Sequence, residues 1–209
     1  MDVRTLIAVP CHDMVHANFM RSLMELDKPA GTGLAVITNT LIYTARNNIA
    51  INAIRAGFDR ILWLDSDMIF PPDTLKRLSA DLDEGREFVC GLYFTRKQPV
   101  VPCVQTDLYW NVDEGGTVKT GCKPILDYPD GVFEIDSAGF GCVMTSANLL
   151  KCLCERYGAP FYPLMGMGED TTFCFRAKQA GEKLYCDSRI KCGHIGQTVF
   201  DETYYHANK

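Results

Sequence analysis

The chain alternates short apolar runs with stretches in which apolar residues recur every three or four positions. Residues 3–9 form one such run and end at Pro10, which reads as a buried strand. Val15, Phe19, Met20, Leu23 and Leu26 then keep helical spacing. A second short strand is predicted over 34–38. Ala45, Ile49, Ala50, Ala53 and Ile54 form one face of a helix that Gly57 stops. Residues 60–64 give a third strand. Pro71-Pro72-Asp73 opens a helix carrying Leu75, Leu78 and Leu82, and 87–93 gives a fourth strand.

Beyond residue 98 the pattern changes. Short strands are predicted over 101–105, 108–112, 117–119 and 132–135, with Asp113-Glu114-Gly115-Gly116 as a hairpin turn. Ser146 is placed to cap a helix running to Tyr157, where Gly158 ends it. Gly168-Glu169-Asp170 opens another helix, closed by Gly181. A late strand is expected over 184–186, and 201–209 reads as a frayed tail. The strand–helix alternation of the first half implies an α/β fold: a mostly parallel, Rossmann-like sheet with helices on both faces and a smaller mixed second sheet. Ligands of such sheets sit at the carboxyl ends of the strands. One domain over 1–209 is expected, with halves 1–98 and 99–209.

Composition narrows the function. The 209 residues suffice for a sizeable core, and 47% apolar with 22% charged residues is ordinary for a globular protein. A net charge of −5 argues against a general binder of nucleic-acid backbones. The apolar run at 6–10 is too short for a signal segment or a membrane span, so a cytoplasmic protein without stable membrane insertion is expected. Ten cysteines scattered through predicted strands and helices fit small buried side chains in a reducing compartment. Cys152, Cys154, Cys186, Cys192 and His194 have zinc-site composition, yet no C-x-x-C pair accompanies them.

Candidate chemistry centres on Asp65-Ser66-Asp67, which follows the apolar strand Ile61-Leu62-Trp63-Leu64. Two carboxylates at i and i+2 on extended chain point the same way. They would repel and lose hydration unless a hard divalent cation joined them. The competing reading makes both solvated turn residues ahead of Pro71. Four other stretches accompany the motif in order: Arg46-Asn47 at a helix start, Gly139-Phe140-Gly141, Glu169-Asp170 at another helix start, and Cys192-Gly193-His194. Arg96-Lys97, after the fourth strand, offers positive charge near an anionic ligand. Phe140 and Trp110 suit either a sugar face or the core.

Over residues 6–196 this ordered set resembles the GT-A-fold nucleotide-sugar glycosyltransferases of the broad family-2-like kind. Residues 45–78 also show weaker similarity to a mannosyltransferase branch of that fold. The resemblance implies transfer of a hexose from a UDP- or GDP-sugar to an acceptor hydroxyl, with Mn²⁺ or Mg²⁺ as cofactor. It makes 1–98 the donor half and 99–209 the acceptor half. By it, Asp65, Asp67 and His194 would hold the metal. Pro10, Cys11, Arg46, Asp65, Ser66 and Arg96 would meet the donor, and Gly139, Phe140 and Gly141 the acceptor. Asp170, beside Glu169, would be the general base of an inverting reaction. The acceptor is open: a glycan, a lipid-linked sugar, a small molecule, a protein or modified DNA. Departures from the family pattern are a short chain, Cys11-His12 in place of Thr or Ser after the first strand, and a histidine close to the C-terminus. They leave room for a homo-oligomer whose partner completes the acceptor side.

Readings from other classes remain. His12-Asp13-Met14-Val15-His16 is a near miss to the H-E-x-x-H of zinc hydrolases, with an aspartate one methylene too short. A nucleotidyltransferase would share the sheet and acidic site, but Pro10-Cys11-His12-Asp13 has neither the glycine nor the basic residue of a phosphate loop. A non-catalytic nucleotide-sugar-binding relative would have no need of Asp65, Asp67, Asp170 and His194 together.

Overall fold

The computed structural model describes residues 3–196 and 199–208. Its first half runs β1 (Thr5–Pro10), α1 (Ala17–Glu25), β2 (Gly33–Ile37), α2 (Ile42–Arg55), β3 (Arg60–Leu64), β4 (Met68–Ile69), α3 (Thr74–Asp83) and β5 (Phe88–Leu92). Then come β6 (Val104–Val112), β7 (Val118–Pro124), β8 (Val132–Ile135), β9 (Ser137–Ala138), β10 (Cys142–Ser146) and α4 (Ala147–Tyr157). The chain closes with α5 (Glu169–Gln179), β11 (Leu184–Lys191), β12 (Gly193–Ile195), β13 (Val199–Phe200) and α6 (Glu202–Ala207).

Seven strands form the central sheet in the order β2-β1-β3-β10-β5-β11-β8. β2, β1, β3, β5 and β11 run one way, and β10 and β8 run against them. The sheet is therefore mostly parallel, and its inner strands β1, β3, β10 and β5 are buried on both faces, which is why they read as near-continuous apolar runs, whereas the edge strand β2 alternates in exposure. On β3, Ile61 and Trp63 join the core beneath α2, α4 and α5, while Leu62 and Leu64 join the core beneath α1 and α3. The Trp63 indole N–H, fully buried, donates to Thr145 Oγ1 on β10 at 2.9 Å. An aromatic cluster of Trp63, Phe88, Phe140, Phe161 and Phe173 fills the space between sheet and helices.

Several sequence expectations change here. The smaller second sheet is in fact two three-stranded antiparallel sheets, β13-β12-β4 and β7-β6-β9. The strands expected over 101–105 and 108–112 are one strand, β6, broken in register where Asp107 takes φ 57°. β10 has no counterpart in the sequence reading, because it runs straight into the Ser146 cap of α4 with no turn between them. The expected tail is partly ordered. Asp201 caps α6 by accepting from the Tyr204 N–H, and Tyr205 is buried. The α4 boundaries follow their caps: Ser146 accepts from the Leu149 N–H, and Gly158 leaves the helix at φ 73°. No helix among the described residues is long and apolar enough to cross a membrane.

Candidate active site

A cleft of about 400 Å³ opens at the carboxyl ends of β1, β3 and β5. It draws on β1 through Pro10, on α2 through Arg46, and on the β3–β4 turn through Asp65, Ser66 and Asp67. Arg96, Gly139, Phe140, Glu169, Asp170 and His194 complete its sequence-predicted lining. Cys11 and Gly141 lie outside it. Cys11 Sγ donates to the Met14 carbonyl at 2.9 Å and borders a smaller cavity of about 180 Å³.

Asp65 and Asp67 sit on a turn, not on extended chain: the Met68 N–H donates to the Asp65 carbonyl at 3.1 Å. Their side chains consequently diverge. Asp65 Oδ1 accepts from Arg46 Nη2 at 2.8 Å, whereas Asp67 Oδ2 lies 2.6 Å from Arg96 Nη1 and 3.7 Å from His194 Nε2. Among the described residues no three His, Cys, Asp or Glu side chains converge on a metal position. The expected set of Asp65, Asp67 and His194 is thus not assembled as a unit, because each carboxylate has turned to its own cation.

A smaller set fits a divalent ion. Asp67 Oδ1 is buried with no hydrogen-bond partner. His194 Nδ1 sits 2.9 Å from the Phe94 carbonyl, which can only accept, so Nδ1 carries a proton there and Nε2 faces Asp67. Burial pushes the Asp67 carboxyl up, but His194 and Arg96 outweigh it and hold the group below its ordinary value. The backbone locks the pair together: the Ile195 N–H donates to the Asp67 carbonyl at 2.7 Å, and Met68 pairs with His194 across β4 and β12. One carboxylate and one imidazole, with the rest of the shell from ligand phosphates, is a donor set for a divalent ion that suits Mn²⁺ more than Mg²⁺.

Arg46 is 2% exposed and lies between two acids, with Nη1 2.5 Å from Glu169 Oε1. Burial opposes its charge, yet Asp65, Glu169 and Asp170 together hold the guanidinium above its ordinary value. Its carbon lies 5.2 Å from the centroid of the Phe140 ring. Nη1 and Nη2 each meet a protein carboxylate, so Arg46 fixes Asp65 and Glu169 in place, while its buried Nε–H has no partner. Arg96 is about half exposed and is the freer cation. With four carboxylates against these two guanidiniums, the cleft is negative by about one divalent ion.

Glu169 and Asp170 lie in the first turn of α5, whose N-cap is Gly168. Asp170 Oδ1 accepts from the Thr171 N–H at 2.7 Å. The helix N-terminus favours both charges. Phe140 is 1% exposed and belongs to the aromatic cluster, so its ring is core and not a platform for a sugar. Trp110 is likewise engaged, donating Nε1–H to the Met165 carbonyl at 2.9 Å.

Two contributors, Tyr93 and Gln105, were not legible in the sequence, and the structure gives Asn47 of the Arg46-Asn47 motif a role. Tyr93, at the end of β5, explains the two glycines around Phe140. A Cβ on Gly139 would lie 2.1 Å from the Tyr93 hydroxyl oxygen, and one on Gly141 would lie 2.9 Å from ring carbon Cζ. Burial, with Cys103 and Asp65 nearby, pushes the phenol well above its ordinary value. Asn47 receives the Phe161 N–H on Oδ1 at 3.0 Å and ties the segment before α5 to α2. Gln105, on β6, reaches the same cleft.

The zinc readings meet specific obstacles. Residues 12–16 are not helical; His16 is the N-cap of α1, its Nδ1 accepting from the Asn18 N–H, while the His12 side chain is 88% exposed. The two histidines therefore do not share a helix face. All ten cysteines are free, yet among the described residues none of them joins a cluster of three His, Cys, Asp or Glu side chains. Cys90 and Cys186 lie side by side in β5 and β11, and burial drives the Cys90 thiol well up.

No family model matches the chain, and no curated protein matches it. Solved structures do. A197 from STIV superposes with a TM-score of 0.69 at 18% identity, covering 93% of this chain and 86% of that one. UDP-glucose pyrophosphorylase, in complex with UDP-glucose, superposes with a TM-score of 0.53 at 9% identity, covering 92% and 93%. At these identities the likeness establishes a shared α/β fold.

Proposed function

We propose that the chain is a metal-dependent glycosyltransferase that moves a sugar from a nucleoside-diphosphate donor to an acceptor hydroxyl. The observation that carries the reading is the Asp67–His194 pair: an unpartnered buried carboxylate oxygen beside an imidazole nitrogen held toward it, in a cleft that also contains Asp170. The fold shared with an enzyme solved with UDP-glucose is consistent with a nucleotide sugar as ligand.

In this reading Asp67 and His194 would hold Mn²⁺ or Mg²⁺, with Asp65 on the ribose side, and an ion held there would supply Lewis-acid stabilisation of the diphosphate leaving group. Arg96 leaves Asp67 and meets the diphosphate. Asp170 takes the proton of the acceptor hydroxyl, a poor nucleophile without a base. Arg46 keeps Asp65 and Glu169 in position throughout.

Nucleotidyl transfer is the second reading, favoured by the likeness to the pyrophosphorylase. Cys11-His12-Asp13 after β1 lacks the glycine and basic residue such chemistry places there, so sugar transfer is preferred. The test is thermal unfolding with UDP- and GDP-sugars, each with and without Mn²⁺, followed by product analysis. A ligand that binds only the native state raises the midpoint. A shift that needs both metal and one nucleotide, with release of nucleoside diphosphate, supports glycosyl transfer. A parallel assay supplies nucleoside triphosphate and sugar phosphate in place of the nucleotide sugar, and release of pyrophosphate there instead selects nucleotidyl transfer.

A further inference from the structure

Besides Asp67 Oδ1 and Arg46 Nε, which are buried without a partner, two further polar groups in the cleft are left half-satisfied, in complementary ways. The Tyr93 hydroxyl accepts from the Gly141 N–H at 3.1 Å, and among the described residues no acceptor takes its own proton. It is 4% exposed and lines the cleft. Gln105 Oε1 is buried with no donor, and its side chain lines the same cleft. One group thus offers a proton and the other asks for one. Each carries a desolvation cost that a ligand would relieve.

The surroundings restrict what that ligand group is. Asp65 and Asp170 act on the Tyr93 phenol from the cleft, and the Cys103 thiol beside it is pushed up to about 12 by burial and by Asp170, so it stays neutral. A phosphate oxygen only accepts, and carboxylates would repel it. A hydroxyl both accepts and donates, and carboxylates attract its proton. The Tyr93 ring also packs edge-on to His194, with centroids 5.4 Å apart. It therefore stands next to the end of the cleft assigned to the diphosphate, and in a nucleotide sugar the group that follows the diphosphate is the sugar.

We infer that Tyr93 and Gln105 form the hydroxyl-recognition subsite for the sugar of the donor, and that Gly139 is glycine because the Tyr93 hydroxyl occupies the place of its side chain. The inference rests on the proposed function and adds to it the residues that select a sugar nucleotide over the bare nucleotide.

The experiment is titration calorimetry at saturating Mn²⁺, with UDP-glucose against UDP and GDP-mannose against GDP, on the wild type, Tyr93→Phe and Gln105→Leu. The wild type is expected to prefer one sugar nucleotide to its bare diphosphate. Each variant should cut that preference about fivefold, the loss of one hydrogen bond, while binding the diphosphate as before. Variants that keep the preference, or a wild type that has none while binding the diphosphate, overturn the subsite and leave the proposed function standing. A wild type that binds no diphosphate removes both. A stability cycle tests the placement without any ligand. Gly139→Ala should lower Tm strongly in the wild type and less in Tyr93→Phe, where the hydroxyl is gone and the nearest ring carbon is 3.3 Å from the new Cβ. Additive shifts would overturn the contact.

Discussion

The carbonyl of Phe94 accepts from Nδ1 of His194 at 2.9 Å, and the Phe94 ring stacks on Tyr205 of α6 with centroids 4.8 Å apart. A C-terminal helix of six residues thereby braces the imidazole assigned to the metal. Tyr205→Ala is expected to cost about 3 kcal/mol through the lost ring. It should also weaken Mn²⁺ binding about tenfold, the scale of outer-shell losses. Tyr205→Phe should keep Mn²⁺ affinity. Calorimetric Mn²⁺ titration well below each variant's Tm checks this, and wild-type affinity in Tyr205→Ala would refute the bracing role.

Asp67→Ala should abolish the Mn²⁺-dependent rise in Tm and change the metal-free Tm little. One carboxylate oxygen has no partner, and the other pairs with Arg96, which is about half exposed and can turn to solvent. Thermal scans with and without Mn²⁺ report both outcomes. A retained metal response would take Asp67 out of the ligand set.

Asp170→Asn should keep donor binding and lose transfer by roughly 10²- to 10⁴-fold, the range for a general base. The comparison is nucleotide affinity against single-turnover rate. Loss of both would make Asp170 a binding residue.

Arg46→Met removes the buried cation shared by Asp65 and Glu169 and leaves two partly exposed carboxylates without it. Breaking a buried pair from one side typically costs about 3–5 kcal/mol, and hydration of the two acids puts the cost here at or below the lower end. Arg46→Lys should recover only part of that, since an ammonium cannot reproduce the two-armed geometry. Urea unfolding of both variants measures the difference.

Asp81 on α3 supplies a pH test remote from the cleft. Burial, reinforced by Asp187 and only partly relieved by Arg86 and Arg189, raises its carboxyl to about 6. A group whose folded value lies above its unfolded one contributes stability below about pH 4 and loses it as pH rises through 6. The penalty at neutral pH is at most about 3 kcal/mol. Asp81→Asn should therefore raise Tm at pH 7.5 and leave it unchanged near pH 3.5. A gain equal at both values would assign it to packing.

The first half of the fold was legible because each strand and helix there carries its own period and its own stop, as at Pro10 and Gly57. β10 was not, since a strand that passes directly into a helix cap leaves no turn for a pattern to register. Within the site, Asp65, Asp67, Asp170 and His194 stood out because charge beside apolar sequence is conspicuous. Tyr93 did not, because an aromatic residue closing an apolar strand looks like core until the backbone shows which glycines it displaces. The direction of the two aspartates was also beyond the sequence, because a single turn hydrogen bond from Met68 decides it.

The place of β10 has a consequence for how the molecule is made. It lies between β3 and β5, so the centre of a sheet begun by the first ninety or so residues is supplied by residues 142–146. During synthesis the facing edges of β3 and β5 have no partner until some fifty later residues have emerged. The cleft is completed later still, because Glu169, Asp170 and His194 follow β10 in the chain.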